Sequence, residues 1–329
     1  LLNFFCANEV NYAVDFDNRE SIREFLQSDG IYSVLIASKE EVLLEEYFNG
    51  VHVDSATNIQ SLTKGIISLL IGIAIEQGVI VNEYDLIHHY FPQRFKSLEP
   101  EKRQIAIRHI LDQTSGLAWR GFVEHTRWQQ STDPINYVLR KKLEAEPGAK
   151  YNYNSGAMHL LSGILASSSG ITTLQFAERN LFDPLNITSV HWQEQNDGVH
   201  DGGGFGLEMR SKDLLKIGQM LLDNGCIKGQ TVVSKNWVEK LFNGEEKMET
   251  NWGLRGSTHG MCWYQAHVEE LEVNYGMGYG GQFIFIIPEQ DLVIVVTHNH
   301  NTTKGVRQQS RFLREKLKPL IEWHKKSAV

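Results

Sequence analysis

The chain has 329 residues, of which 41% are apolar and 22% charged, enough for one large core or two moderate ones. A net charge of −8 without any basic stripe excludes a nucleic-acid surface, and no apolar run approaches the ~20 residues that cross a bilayer. Cys6, Cys226 and Cys262 are too few and too scattered for a disulfide framework or a metal site, and their odd number leaves at least one free thiol. The opening Leu1-Leu2-Asn3-Phe4-Phe5-Cys6-Ala7-Asn8 reads equally as the tail of a trimmed export signal or as an arbitrary start. The first reading favours a periplasmic or otherwise exported protein over a cytoplasmic one.

In chain order, Ile31 to Ser38 and Glu41 to Phe48 form β-rich runs around Lys39-Glu40, an antiparallel hairpin closed by Asn49-Gly50. A strongly apolar helix begins at Ser61 and stops at Gly78. A shorter one starts at Arg108, another is capped by Asp133-Pro134 and runs to about Leu143, and a third spans His159 to Ser167, closed by Gly170. The Arg140-Lys141-Lys142 cluster, followed by Glu144 and Glu146, reads as a solvated helix end. Ser211 to Leu222 is amphipathic at helical spacing. Strand signals return at Phe283 to Ile287 and Leu292 to Thr297, around a turn at Pro288-Glu289-Gln290-Asp291, and an amphipathic helix from about Val306 ends the chain. Strands at both ends around a helical middle imply an α+β fold. An antiparallel sheet would be assembled from the N- and C-terminal segments (1–60 and 205–329), with an all-helical insertion (61–204) and a site at their junction.

Ser61 and Lys64 stand three residues apart at the head of the apolar helix, so their side chains share one face. A hydroxyl needs a neighbouring base to become a nucleophile, and a lysine amine serves once neutral, a form that burial favours. The helix N-terminus adds free amides suited to an oxyanion. The pattern is short, so its position carries the argument for acyl transfer. Tyr151-Asn152-Tyr153-Asn154-Ser155-Gly156 offers proton-transfer and hydrogen-bonding groups in a polar turn. Gly276-Met277-Gly278-Tyr279-Gly280-Gly281-Gln282 contains a dinucleotide-like glycine spacing, but it opens a β-run instead of a helix, which rejects nucleotide binding. Its glycines would let a strand approach a ligand closely. Asp201-Gly202-Gly203-Gly204-Phe205-Gly206 lacks a phosphate-loop ending and reads as a flexible connection. His298-Asn299-His300 and His88-His89 lack further ligands for a metal and read as surface histidines.

With these residues in view, the chain resembles the serine β-lactamases of class C and the related carboxylesterases, DD-peptidases and 6-aminohexanoate-dimer hydrolases. The resemblance runs from about Ile31 to about Leu320. It rests on Ser61-Leu62-Thr63-Lys64, on Ile107 to Leu117, on Tyr153-Asn154-Ser155, on Gly206 to Leu214 and on Gly280-Gly281-Gln282-Phe283, in that order. It implies a β-lactamase/transpeptidase-like fold and an acyl-enzyme mechanism. Ser61 would be the nucleophile, Lys64 its activating base and Tyr153 a proton shuttle. The amide of Ser61 and one near Gly278, Tyr279 or Gly280 would form the oxyanion hole, with Ser155 in support.

Two departures bear on the substrate. Ser155 stands where class C enzymes usually have asparagine, resembling the nylon-oligomer hydrolase branch. The family's Lys-Thr-Gly motif is absent, its nearest counterpart being Tyr275 to Gly280 without a cation. That loss disfavours a carboxylate-bearing β-lactam and favours a neutral or differently oriented ester or amide. Substrate selection would fall to Trp119, Phe122 and Trp128, with Tyr264 and Trp263 opposite, Trp263 fitting the core better. The reading is a serine hydrolase of a small ester or amide with no metal or organic cofactor. A DD-peptidase or β-lactamase, and a non-catalytic binding protein on the same fold, stand as rivals.

Overall fold

The computed structural model describes residues 16, 19–27, 30–243, 248–250 and 253–327; Cys6 and the opening segment lie outside them. The strands are β1 (Ile31–Ala37), β2 (Val42–Tyr47), β3 (Ala56–Asn58), β4 (Val190–Trp192), β5 (Leu207–Arg210), β6 (Cys226–Ile227), β7 (Gln230–Thr231), β8 (Met248–Glu249), β9 (Thr258–Gly260), β10 (Trp263–Val268), β11 (Leu271–Gly278), β12 (Gln282–Ile287) and β13 (Leu292–His298). Eight of them form one sheet in the order β2-β1-β13-β12-β11-β10-β9-β8, antiparallel throughout. The N-terminal hairpin thus joins the C-terminal strands, with Val34 opposite Val296 and Ile36 opposite Ile294. β3, β5 and β4 make a second, three-stranded sheet beside it.

The helices are α1 (Arg19–Leu26), α2 (Leu62–Glu76), α3 (Ile107–Leu111), α4 (Gly121–Gln129), α5 (Pro134–Leu139), α6 (Ser155–Ser169), α7 (Thr173–Ala177), α8 (Ser211–Leu222), α9 (Lys235–Asn243), α10 (Gly305–Glu315) and α11 (Leu317–Ser327). Side chains alternate across a strand, so each face of the large sheet builds its own core. Leu35, Ala37, Ile284, Ile286, Val293 and Val295 join the cluster of α2, α6 and α8. Val34, Ile36, Phe283, Phe285, Ile294 and Val296 join that of α1, α10 and α11. The architecture is the expected α/β sandwich of one antiparallel sheet between helical layers.

α2 is apolar on every side and buried from Leu62 to Ala74, as befits a helix in the middle of a core. Asp133 caps α5 by accepting from the Asn136 amide at 3.0 Å, with Pro134 at the first helical position. That helix ends at Leu139, four residues short of the expected Leu143. The chain instead turns to bridge Leu143 with Leu117, and Ala118 donates to the Lys142 carbonyl at 2.8 Å. Lys141 is likewise no bare solvated end, because it pairs with Glu124.

Nine of the strands, β3 to β11, were not expected, and β4 falls inside the 61–204 segment expected to be all-helical. β10 and β11 pair from Val268–Leu271 back to Tyr264–Tyr275. The glycine-rich run therefore closes β11 and turns into β12; it does not merely open a strand. His298 is also not a surface residue: it is buried, and its Nδ1 lies 2.7 Å from the Gly281 carbonyl. Cys226 and Cys262 are free thiols. Among the described residues no single helix is long and apolar enough to cross a membrane. The one pair that passes by length and composition, Ser155–Ser169 with Thr173–Phe182, bends by 76°.

Candidate active site

The path into α2 is set by β3 and two side chains. Asn58 Oδ1 accepts from both the amide and the side-chain nitrogen of Gln60, each at 2.9 Å. This local turn holds Gln60 at φ 53°, in the left-handed region. Gln60 then offers its carbonyl to the Thr63 amide at 3.0 Å and the Thr63 hydroxyl at 2.7 Å, anchoring the first helical turn. Ser61 occupies the N-cap with helical angles, and its hydroxyl caps no amide. That hydroxyl is left for other chemistry.

Lys64 sits one turn on, with only 2% of its surface exposed. Its Nζ lies 3.1 Å from Ser61 Oγ and also donates to the Gly203 carbonyl. Both partners are uncharged oxygens. Asp201 fixes that second acceptor, taking the Gly203 and Gly204 amides on Oδ1 at 2.6 and 3.0 Å and Gln195 Nε2 on Oδ2 at 2.6 Å. Burial raises the affinity of the Asp201 carboxyl for a proton, opposed by the charge of His159, the Gly203 amide and Lys64. Gly204 has φ +102°, and a Cβ there would lie 2.9 Å from Ser61 Cα and 3.0 Å from Lys64 Nζ. The expected flexible connection is therefore a buried support, and Asp201, Gly203 and Gly204 are site residues the sequence reading passed over. Their signal was present: consecutive glycines after an acidic residue, where any side chain would strike the backbone they pack on.

Tyr153 meets the same lysine, whose Nζ lies 4.8 Å from the ring centroid. The loop carrying it is gripped on both sides by Gln113, itself at φ 60°. The Gln113 carbonyl accepts from the Asn152 amide at 2.8 Å, and its Oε1 accepts from the Asn154 amide at 2.6 Å. Asn154 caps α6 through the Ala157 amide at 2.9 Å. The Ile107–Leu117 signature thus acts here as a clamp on Tyr153. Tyr151, by contrast, packs its ring 5.3 Å from His259.

Ser61, Tyr153, Ser155, Trp119, Gly278 and Tyr279 line one cavity of about 310 Å³. Phe122, Phe205, Tyr264 and Met277 supply much of the remaining wall. Gly280 faces the His300 main chain instead. Trp128 and Trp263 are wholly buried core residues. Gly278 lets the strand touch the nucleophile segment, since a Cβ there would lie 2.4 Å from the Ile59 carbonyl. Gly276 similarly admits Leu62, so these glycines bring the sheet close to α2, and Gly278 also borders the cavity. His125 also borders the cavity, its ring 3.9 Å from that of Phe205. Burial first, then the charge of Lys64, lowers its pKa to about 3, so it is neutral. Among the described residues no group of three or more His, Cys, Asp or Glu could hold a metal ion.

The chain is similar to several known proteins. A 6-aminohexanoate-dimer hydrolase of Paenarthrobacter ureafaciens is 25% identical over 281 residues, covering 79% of this chain and 70% of the relative. A solved structure described as a 6-aminohexanoate-dimer hydrolase from Bacillus anthracis superposes with a TM-score of 0.77 at 17% identity, over 93% of this chain and 82% of that one. EstCE1, a hydrolase with promiscuous acyltransferase activity, gives a TM-score of 0.68 at 15% identity, over 90% and 96%. The Beta-lactamase family profile matches residues 19–318, nearly the whole chain, and the protein therefore belongs to that family of serine hydrolases.

Proposed function

We propose that this hydrolase cleaves a small, uncharged ester or amide through an acyl-enzyme on Ser61. The observation that carries the reading is the buried Lys64 amine, 3.1 Å from Ser61 Oγ. In its deprotonated form that amine accepts the serine proton as Oγ attacks the carbonyl carbon. Tyr153, against the same amine, passes that proton to the departing oxygen or nitrogen and later helps water release the acyl group. The oxyanion falls to the Ser61 amide, which precedes the first intrahelical bonds, and to a second amide from the Gly278–Gly280 turn. Among the described residues no lysine or arginine lines the cavity, which fits a neutral substrate better than a carboxylate-bearing β-lactam.

Ser61→Ala is expected to abolish turnover, and a fluorophosphonate should add its mass to the wild type at Ser61 alone. Full activity in that variant would falsify the assignment. A chromogenic cephalosporin set against a short-chain nitrophenyl ester and the 6-aminohexanoate dimer separates the β-lactamase, esterase and amidase readings. The nitrophenyl ester is expected to be hydrolysed fastest.

A further inference from the structure

Two recesses of opposite chemistry meet at Phe122, Phe205 and Tyr279. The first is the 310 Å³ cavity that holds Ser61 and Tyr153, and among the described residues no lysine, arginine, aspartate or glutamate stands in its wall. The second, of about 430 Å³, is lined beyond the shared aromatics by Asn58, Gln60, Gln129, His300 and Asn301. Four of those five are carboxamides, of which Asn58 and Gln60 are already bonded to each other and Asn58 to the Phe205 carbonyl, leaving Gln129 and Asn301. Burial lowers the affinity of the His300 ring for a proton, against the opposing charge of Glu208, so this recess too is uncharged. Asn301 is exposed and Gln129 half-buried, so their amides can turn toward a ligand. Gln60 and Ser61 are consecutive, so one peptide unit joins the two recesses beside the nucleophile.

These walls select different groups. An apolar group entering the first gains roughly 25 cal/mol for each Å² it removes from water. Carboxamides donate and accept together, and they pair with neutral amides or hydroxyls without desolvating an ion. Orientation follows from the proton donor. Tyr153 lines the apolar cavity and not the carboxamide recess. A leaving group must collect a proton as its bond breaks, so it departs on the side where Tyr153 stands.

Resting on the roles assigned above to Ser61 and Tyr153, we propose that the preferred substrate is an uncharged ester or amide with its arms of opposite polarity. Its apolar leaving group occupies the cavity, and its acyl group lays neutral amide or hydroxyl functions along the carboxamide recess. Ser61 Oγ bonds to the carbonyl carbon, the carbon–oxygen or carbon–nitrogen bond breaks, and the serine proton travels by Lys64 and Tyr153 to the departing atom. Water then adds to the acyl carbon, frees the polar acid and returns a proton to Ser61.

Two esters with exchanged arms test this: phenethyl N-acetylglycinate, with a polar acyl and an apolar alcohol, and acetamidoethyl phenylpropanoate, the reverse. The glycinate ester is expected to have the higher kcat/KM by about tenfold or more. Asn301→Leu, at an exposed position, is expected to narrow that ratio by raising KM for the glycinate ester. Equal or reversed preference in the wild type overturns the proposal, as does a ratio untouched by Asn301→Leu. If neither ester is turned over while a fluorophosphonate still labels Ser61, the substrate assignment falls and the serine-hydrolase reading stands. If no label forms either, the hydrolase reading has failed first.

Discussion

One of the two side-chain bonds of Gln113 matters disproportionately, because its carboxamide oxygen holds the amide next to Tyr153. Tyr153→Phe keeps the ring against Lys64 and removes only the hydroxyl. Its kcat should fall about a hundredfold or more, the usual yield of a positioned proton carrier, with KM little changed. Gln113→Ala should act on the same step indirectly. It strands the Asn154 amide, a loss of roughly 1–3 kcal/mol, and lets the tyrosine wander. Steady-state kinetics beside thermal melting separates the two, since Tyr153→Phe leaves the melting temperature near wild type and Gln113→Ala lowers it. The Ser61–Lys64 contact could be read from its spacing and its place at the head of α2, because a helix fixes what lies one turn away. Gln113 could be quoted as part of a signature, yet its work depends on a loop some forty residues on, which no local pattern discloses.

Elements tell a similar story. The first hairpin carries β-rich runs, α8 a helical apolar stripe, and α2 and the last two strands continuous apolar runs, and all were legible. The β10–β11 hairpin was not. Glu269, Glu270, Glu272 and Asn274 interrupt it, and Gly276 and Gly278 lack the side chains that mark a strand. Those glycines exist for close approach, which is a property of packing. Gly278→Ala should therefore be severe: its methyl group would meet the Ile59 carbonyl, two residues from the nucleophile. We expect loss of about 1–3 kcal/mol of stability from overpacking and a drop in kcat/KM larger than that loss explains. Wild-type turnover in a well-folded Gly278→Ala protein would show that β11 does not set the position of Ser61. The Asp201–Gly204 loop escaped notice for the complementary reason, since glycine-rich composition is shared by linkers and by tight supports. Only its burial tells them apart.

At the scale of the whole molecule, buried neutral histidines couple stability to pH, His298 and His125 among them. Burial brings His298 to about 4, and burial with the charge of Lys64 brings His125 to about 3. An unfolded chain protonates both near pH 6.5. Below that value the unfolded state binds more protons than the native one, so stability falls as pH drops from 6.5 toward 4. Each group contributes a slope of about 1.4 kcal/mol per unit once pH is well below 6.5. Melting temperature should therefore decline between pH 7 and pH 5, and His298→Gln should flatten that decline. An unchanged slope in the variant would mean that His298 is protonated in the native state.

The Lys64 contact with the Gly203 carbonyl spans 139 residues of chain. Local helices form early, whereas a bond closing so long a loop must await docking of the distant segment. During refolding, ester cleavage should consequently lag behind the recovery of helical circular dichroism. Burst labelling of Ser61 then becomes a clock for the last stage of assembly, ticking only after the triple-glycine strap has reached the amine.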